Sequence, residues 1–302
     1  MTAAVQRGFS LMELMVALTV CALLSAAVAA IVGPARAAFE ATPEALDLQQ
    51  RRRTATDLLA GALRSAGQVV AIQPDGAVGE AVPTVMLLDP ADDATRFRAM
   101  YIVSVAGPGR GLIEAHQLSP VGALRLRAAG NCPATGEVCG FSKGAVAAVV
   151  DVDGGFEVFT VASTNRGTHS LTSSRAFARA HPAGSMVIEV SANTYRLQAQ
   201  ADGSSTLVRE TAAGAVQPVV DEVLEIGFRG WRTTPGSSEL IAATVEDLAD
   251  GPWRLAGVGG RYDTDWRALR RVDITLRIGG RSGAAGAAGR AVHLSVSLRN
   301  RI

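Results

Sequence analysis

One long apolar run constrains this chain more than any other feature. From Phe9 to Val32 it reads FSLMELMVALTVCALLSAAVAAIV, broken only by Glu13 and small hydroxyl residues. As a helix rising about 1.5 Å per residue, such a run reaches past the ~30 Å hydrocarbon core of a bilayer. Gly33-Pro34 follows, and that pair predicts an interruption. A secretory signal peptide is one reading, with Arg7 ahead of the run and Ala27-Val28-Ala29 as a small-x-small cleavage pattern. The run is too long for a typical signal core, however, and it carries a carboxylate near its start. A plain membrane anchor meets the same objection, because a carboxylate in hydrocarbon costs about 2.5–3.5 kcal/mol unless it finds a partner.

A cut between Gly8 and Phe9 would supply that partner. It creates an α-ammonium at Phe9, and Glu13 then lies one helical turn deeper. Between parallel helices staggered by about a turn, the carboxylate of one meets the ammonium of the next. The pair offsets much of the burial cost and fixes the stagger, the register role best attested for buried polar pairs.

At these residues the sequence resembles the leader junction of type IV prepilins. RGFSLMELMVAL has a short basic leader ending in Gly8, then Phe9, then Glu13 at the fifth position of the mature chain. The resemblance implies a prepilin peptidase that cuts after Gly8 and methylates the new amine on Phe9. It also implies other pilins as partners, and the bacterial inner membrane as the site of insertion. Arg7 on the short cytoplasmic side agrees with positive-inside orientation, although Arg36 lies just beyond the run.

Composition narrows the remaining classes. The formal net charge is +1 over 302 residues, and Lys143 is the only lysine. Such a balance argues against a basic nucleic-acid coat. Cys21 lies in the apolar run, where a thiol behaves as a small hydrophobe. Cys132 and Cys139 frame NCPATGEVCG, in which Pro133 and Gly136 can turn the chain back on itself. A disulfide is expected there, with a free thiol pair as the alternative. Zinc would need further ligands that the neighbouring sequence lacks. A disulfide implies an oxidising space such as the bacterial periplasm.

Beyond the apolar run, Thr42-Pro43-Glu44 reads as a second helix start. Leu48, Ala55, Leu58, Leu59, Ala62, Leu63 and Ala66 then recur at helical spacing, and Gly67 suits a C-cap. A second amphipathic helix over 43–66 is expected, with Arg51, Arg52 and Arg53 on a solvated face. From Val69 the pattern turns to strands. In VDITLRI, Val272, Ile274, Leu276 and Ile278 share one face; in AVHLSVSL, Val292, Leu294, Val296 and Leu298 do the same. The Gly/Ala stretch 279–290 between them reads as a long hairpin loop. EVLEIGF places Leu224, Ile226 and Phe228 together, and GSMVIEV places Met186, Ile188 and Val190 together. NTYRLQA and STLVRE form a hairpin about Ala201-Asp202-Gly203. MYIVSV, ALRLRA, AVAAVVDV and FEVFTV add shorter strands.

The expected fold class is α+β: a pilin-like N-terminal helix packed on a largely antiparallel β-rich head. The expected segments are a leader (1–8), a transmembrane assembly helix (9–33), a spacer with amphipathic helix (34–67) and a periplasmic head (68–302). RRRTATDLLAGALRSAG, Tyr195-Arg196-Leu197, Leu207-Val208-Arg209, VVDEVLEIGF and Leu298-Arg299-Asn300 resemble large minor pilins of the PilW type. They are also similar to the J-type minor pseudopilins of type II secretion systems. That resemblance implies a structural subunit of a type IV pilus or pseudopilus. A binding module at the fibre tip, an adhesin or DNA receptor, is the alternative class.

No constellation here predicts an enzyme or a cofactor. Asp151-Val152-Asp153-Gly154-Gly155 can open a calcium loop, but later ligands do not follow at loop spacing, and Asp-Gly-Gly suits a hairpin turn. Asp263 and Asp265 are weaker still. His116, His169, His181 and His293 are scattered, without metal spacing or a nucleophile motif. The glycines of 107–111 and 257–260 lack the strand-turn-helix context of a nucleotide loop and read as turns. Trp231, Trp253 and Trp266 are expected in the core rather than exposed for recognition.

Overall fold

The structure is a computed structural model and describes residues 10–66, 85–115, 122–127, 132–134, 136–151, 155–234, 237–249, 254–255, 269–279 and 291–298. It divides into two compact units, residues 1–50 and 51–302.

Helix α1 spans Leu11–Ser65 without a break. The interruption expected at Gly33-Pro34, and the fresh start expected at Thr42-Pro43, are absent. Each proline forgoes one N–H bond, whereas ending a helix orphans four carbonyls and restarting it orphans four N–H groups. The Ala-rich flanks, PARAAFEA, favour continuation as well. Within the first unit, residues 11–33 are exposed throughout. In the second unit the helix end buries Ala55, Leu59 and Leu63 of the expected stripe, with Ala60 beside them. Arg51 and Arg52 are half-buried and only Arg53 is exposed, so the arginine run is not the fully solvated face that was expected.

Fourteen strands among the described residues form one connected sheet. The first seven are β1 Val85–Pro90, β2 Phe97–Leu112, β3 Ala123–Arg125, β4 Val146–Val150, β5 Gly155–Asn165, β6 Ser170–Ser173 and β7 Met186–Ala199. The others are β8 Ser205–Thr211, β9 Val216–Val220, β10 Val223–Thr233, β11 Leu240–Ala242, β12 Arg254–Leu255, β13 Leu269–Ile278 and β14 Ala291–Ser297. A short helix, α2 Val245–Ala249, follows β11. The spatial order runs β14-β13-β10-β2-β7-β4-β5-β6-β3, and the pairings are antiparallel except β12 with β5. An apolar helix followed by a large antiparallel sheet is an α+β architecture.

Alternation explains most of the sheet. Val272, Ile274, Leu276 and Ile278 of β13 are buried, at 0–2% exposure. They pair in register with β14, Ile274 opposite Leu294 and Leu276 opposite Val292. The expected hairpin of β7 and β8 closes through Gln200 and Ser204, with Gly203 at a φ of 83°. The loop 280–290 lies outside the described residues.

One strand reading needs correction. In β10 the register shifts between Val223 and Glu225, so Val223 turns inward and Leu224 is 52% exposed, off the face of Ile226 and Phe228. The middle of the sheet, moreover, is buried on both sides. Ile188 and Val190 of β7 join Ala148 and Val150 of β4, Val103 and Met86 in one cluster. Val187, Ala147 and Val149 point the other way into a second cluster with Phe141, Phe159, Leu171 and Phe177.

Candidate functional site

Helix α1 opens with a capping box. Ser10 Oγ accepts the backbone N–H of Glu13 at 3.2 Å, and the Glu13 carboxylate accepts the N–H of Ser10 at 3.4 Å. The first helical bond, Leu14 N–H to Ser10 C=O, is 3.2 Å. The S-x-x-E signature was legible in SLME, although the sequence reading assigned Glu13 only to a neighbouring subunit. Within a single chain the carboxylate thus serves its own helix start, where it also favours the positive end of the helix dipole. Gly8 and Phe9 lie outside the described residues.

Past the cap, Leu11–Gly33 is long and apolar enough to cross a membrane, with a mean hydropathy of 2.6 and none of it buried. Thr19 keeps its hydroxyl satisfied within the helix, donating to Val16 C=O at 2.8 Å. Twelve large apolar side chains between Leu11 and Val32 stand exposed. At about 1.5–3 kcal/mol each, their transfer from water is worth on the order of 20–30 kcal/mol. That is several times the cost of the one carboxylate. Hydrocarbon or a like helix is the environment that satisfies this surface.

Residues 4–29 match the family model described as the prokaryotic N-terminal methylation motif. The match and the apolar helix together support a type IV pilin-like protein. They are also consistent with membrane anchoring. No curated protein and no solved structure shows significant similarity to the chain.

In the head, Cys132 and Cys139 are joined, with an S–S distance of 2.11 Å and Cα atoms 4.3 Å apart. The loop between them turns at Gly136, whose φ is 77° and whose added Cβ would lie 2.6 Å from the Gly140 carbonyl carbon. Only glycine fits there. Cys21 is free and exposed on α1.

The residues once weighed for calcium have another role. Asp151 is buried, and its carboxylate is engaged by His181 and by the Arg179 guanidinium rather than left open to a cation. Asp153 lies outside the described residues, as do Asp263, Asp265, His116, Trp253, Trp266 and the glycines of 257–260. Among the described residues no group of three or more His, Cys, Asp or Glu side chains is placed to hold a metal ion. His181 is drawn into a cluster that no linear motif announced. Its Nδ1 faces Asp151 at 2.9 Å and its Nε2 faces Glu157 at 3.6 Å. With Ser185 also buried nearby, the residue types are those of a hydrolase triad. The geometry is not, because the Nε2 that would activate a nucleophile is turned to Glu157.

The other residues singled out have structural settings. His169 sits at a φ of 49° in the β5–β6 turn, and the ring of His293 lies 3.3 Å from Thr275 Oγ1. Trp231 is half-buried, donates from Nε1 to Asp273 at 2.6 Å, and carries the Arg271 guanidinium 4.5 Å over its ring. The glycines of 107–109 form an irregularity in β2 between Val105 and Arg110. There Gly109 N–H donates to Glu189 at 3.0 Å, and no helix follows to make a phosphate cradle.

Proposed function

We propose that the chain is a minor pilin, a structural and assembly subunit of a type IV pilus. Prepilin peptidase removes residues 1–8 by cutting between Gly8 and Phe9, and the new amine is methylated. Residues 9–33 hold the subunit in the inner membrane, residues 34–67 lead out of it, and the head, 68–302, faces the periplasm. In the fibre, Glu13 exchanges its contact with Ser10 for the amine of a neighbouring subunit, so that its charge is compensated after burial. The observation that carries this reading is the methylation motif continuous with an exposed apolar helix.

A minor pseudopilin of a type II secretion system would use the same leader, helix and carboxylate, and is the second reading. The test is the N-terminal peptide mass of the mature protein taken from its native membrane. A start at N-methylated Phe9 is expected. A start at Ala30, or an uncut Met1 in cells with active prepilin peptidase, overturns both readings. Co-isolation with pilus or with secretion components then separates them.

A further inference from the structure

The head buries charge around one imidazole. His181 has no solvent exposure, and the Asp151 and Glu157 side chains are 0% and 3% exposed. Nδ1 lies 2.9 and 3.1 Å from the two oxygens of Asp151, while Nε2 lies 3.6 Å from Glu157 Oε2. A neutral imidazole has one N–H and can donate to one partner, whereas an imidazolium donates from both nitrogens. Nδ1 is hydrogen-bonded to one carboxylate, and Nε2 faces a second at 3.6 Å, a charge contact longer than a hydrogen bond, which favours the protonated ring. Charge balance selects the same form. Asp151 and Glu157 bring two negative charges, and the Arg179 guanidinium bonded to Asp151 brings one positive. Protonated His181 closes the balance, whereas a neutral ring leaves a net negative charge out of water.

The cluster joins parts of the chain that are far apart in sequence. Asp151 directly follows β4, Glu157 lies on β5, and Arg179, His181 and Ser185 belong to the segment 174–185 that links β6 to β7. The same segment lays Ala178 N–H on both Glu157 oxygens at 3.0 Å and the Arg175 guanidinium on Val158 C=O at 2.8 Å. Phe177 meets Phe159 and the His181 ring edge-on, at 5.1 and 5.0 Å between centroids. Backbone bonds hold the two ends of this segment, Ser174 N–H to Thr160 C=O at 2.9 Å, Gly184 N–H to Ile113 C=O at 2.9 Å and Ile113 N–H to Ser185 C=O at 2.8 Å. The span between them has no regular secondary structure and rests on those side-chain contacts.

We propose that His181 is a proton-dependent latch: protonated, it clamps segment 174–185 onto the β4–β5 hairpin, and loss of its proton releases that segment. The direction follows from the surroundings. Burial alone pushes the His181 pKa down, but the hydrogen bond to Asp151 and the charge of both the Asp151 and Glu157 carboxylates outweigh it and hold the value above normal. The clamp is therefore fully present below the ordinary histidine value, about 6.5, and is lost as pH rises through the raised one. It is closed below about pH 6.5 and opens as pH rises through the raised value. The inference concerns the head alone and is the same for a pilus or a pseudopilus subunit.

The test uses the full-length protein in detergent micelles. ¹⁵N-histidine spectra should show one imidazole with both nitrogens protonated and a titration midpoint above about 6.5. Hydrogen exchange of peptides covering 174–185, corrected for intrinsic rates, should rise by up to about tenfold per pH unit from about pH 6.5 to that midpoint and level off above it. In His181→Gln the segment should exchange fast at every pH. If this variant does not fold, the wild-type titration decides alone. A His181 that is neutral at pH ~6, or a segment whose protection ignores the midpoint, overturns the proposal.

Discussion

Ser10 and Glu13 bond each other reciprocally across the first turn of α1, hydroxyl to N–H at 3.2 Å and carboxylate to N–H at 3.4 Å. Glu13 therefore has a partner before any second subunit arrives. Removing the hydroxyl and removing the carboxyl charge should have different consequences. Ser10→Ala should loosen the helix start by about 1 kcal/mol, seen as faster amide exchange over the first turn, with Ser10→Thr largely restoring it. Glu13→Gln keeps a side chain that can cap but removes the charge that an ammonium would seek. We expect normal cleavage of that variant, and its loss from sheared fibres relative to the membrane pool on immunoblots.

Leu224 and Phe228 look alike in the sequence alternation and differ in the fold. Phe228 is fully buried opposite Ile274, whereas Leu224 is bulged outward. Phe228→Ala should cost about 3–5 kcal/mol in denaturant unfolding of the head. Leu224→Ala should stay within about 0.5 kcal/mol of wild type. Equal losses at both positions would restore the uninterrupted alternation and remove the bulge.

The Cys132–Cys139 bond closes a short loop over a sequence separation of 7. Replacing both cysteines by serine should lower stability by roughly 2–3 kcal/mol, the loop-entropy value for a ring of that size. Denaturant midpoints measured with and without reductant should differ for the wild type and coincide for the double variant.

Asp151 sets the acid limit of the buried cluster. Burial alone would raise its pKa, but its hydrogen bond to His181 and the charges of His181 and Arg179 hold it below the usual 3.8. A lowered folded value means that the contribution is complete above the unfolded pKa and disappears as pH falls through the folded one. Stability should therefore drop on acidification below about pH 3.8, and Asp151→Asn should flatten that limb of the pH profile. An unchanged acid limb in the variant would assign it to other carboxylates.

Much of this protein was legible because its signals are local. A 23-residue segment that is apolar apart from Glu13 and small hydroxyl residues specifies a membrane-length helix by composition and length. Alternation at Val272, Ile274, Leu276 and Ile278 specifies a strand with one buried face, and the Asp202-Gly203 turn specifies the β7–β8 hairpin. The S-x-x-E cap is equally local, since hydroxyl and carboxylate meet across a single helical turn.

Other features depended on what came to lie alongside. Pro34 and Pro43 do not end α1, since breaking and restarting a helix costs more backbone bonds than two prolines forfeit. The β10 bulge is a register shift against β13, which neither strand announces alone. Val187 and Ile188 are both buried because chain packs on both faces of the central strands. Above all, Asp151, Glu157, Arg179 and His181 carry no motif. A buried ion cluster is defined by charges that balance across space, so only the tertiary structure could decide that this histidine lies between two carboxylates.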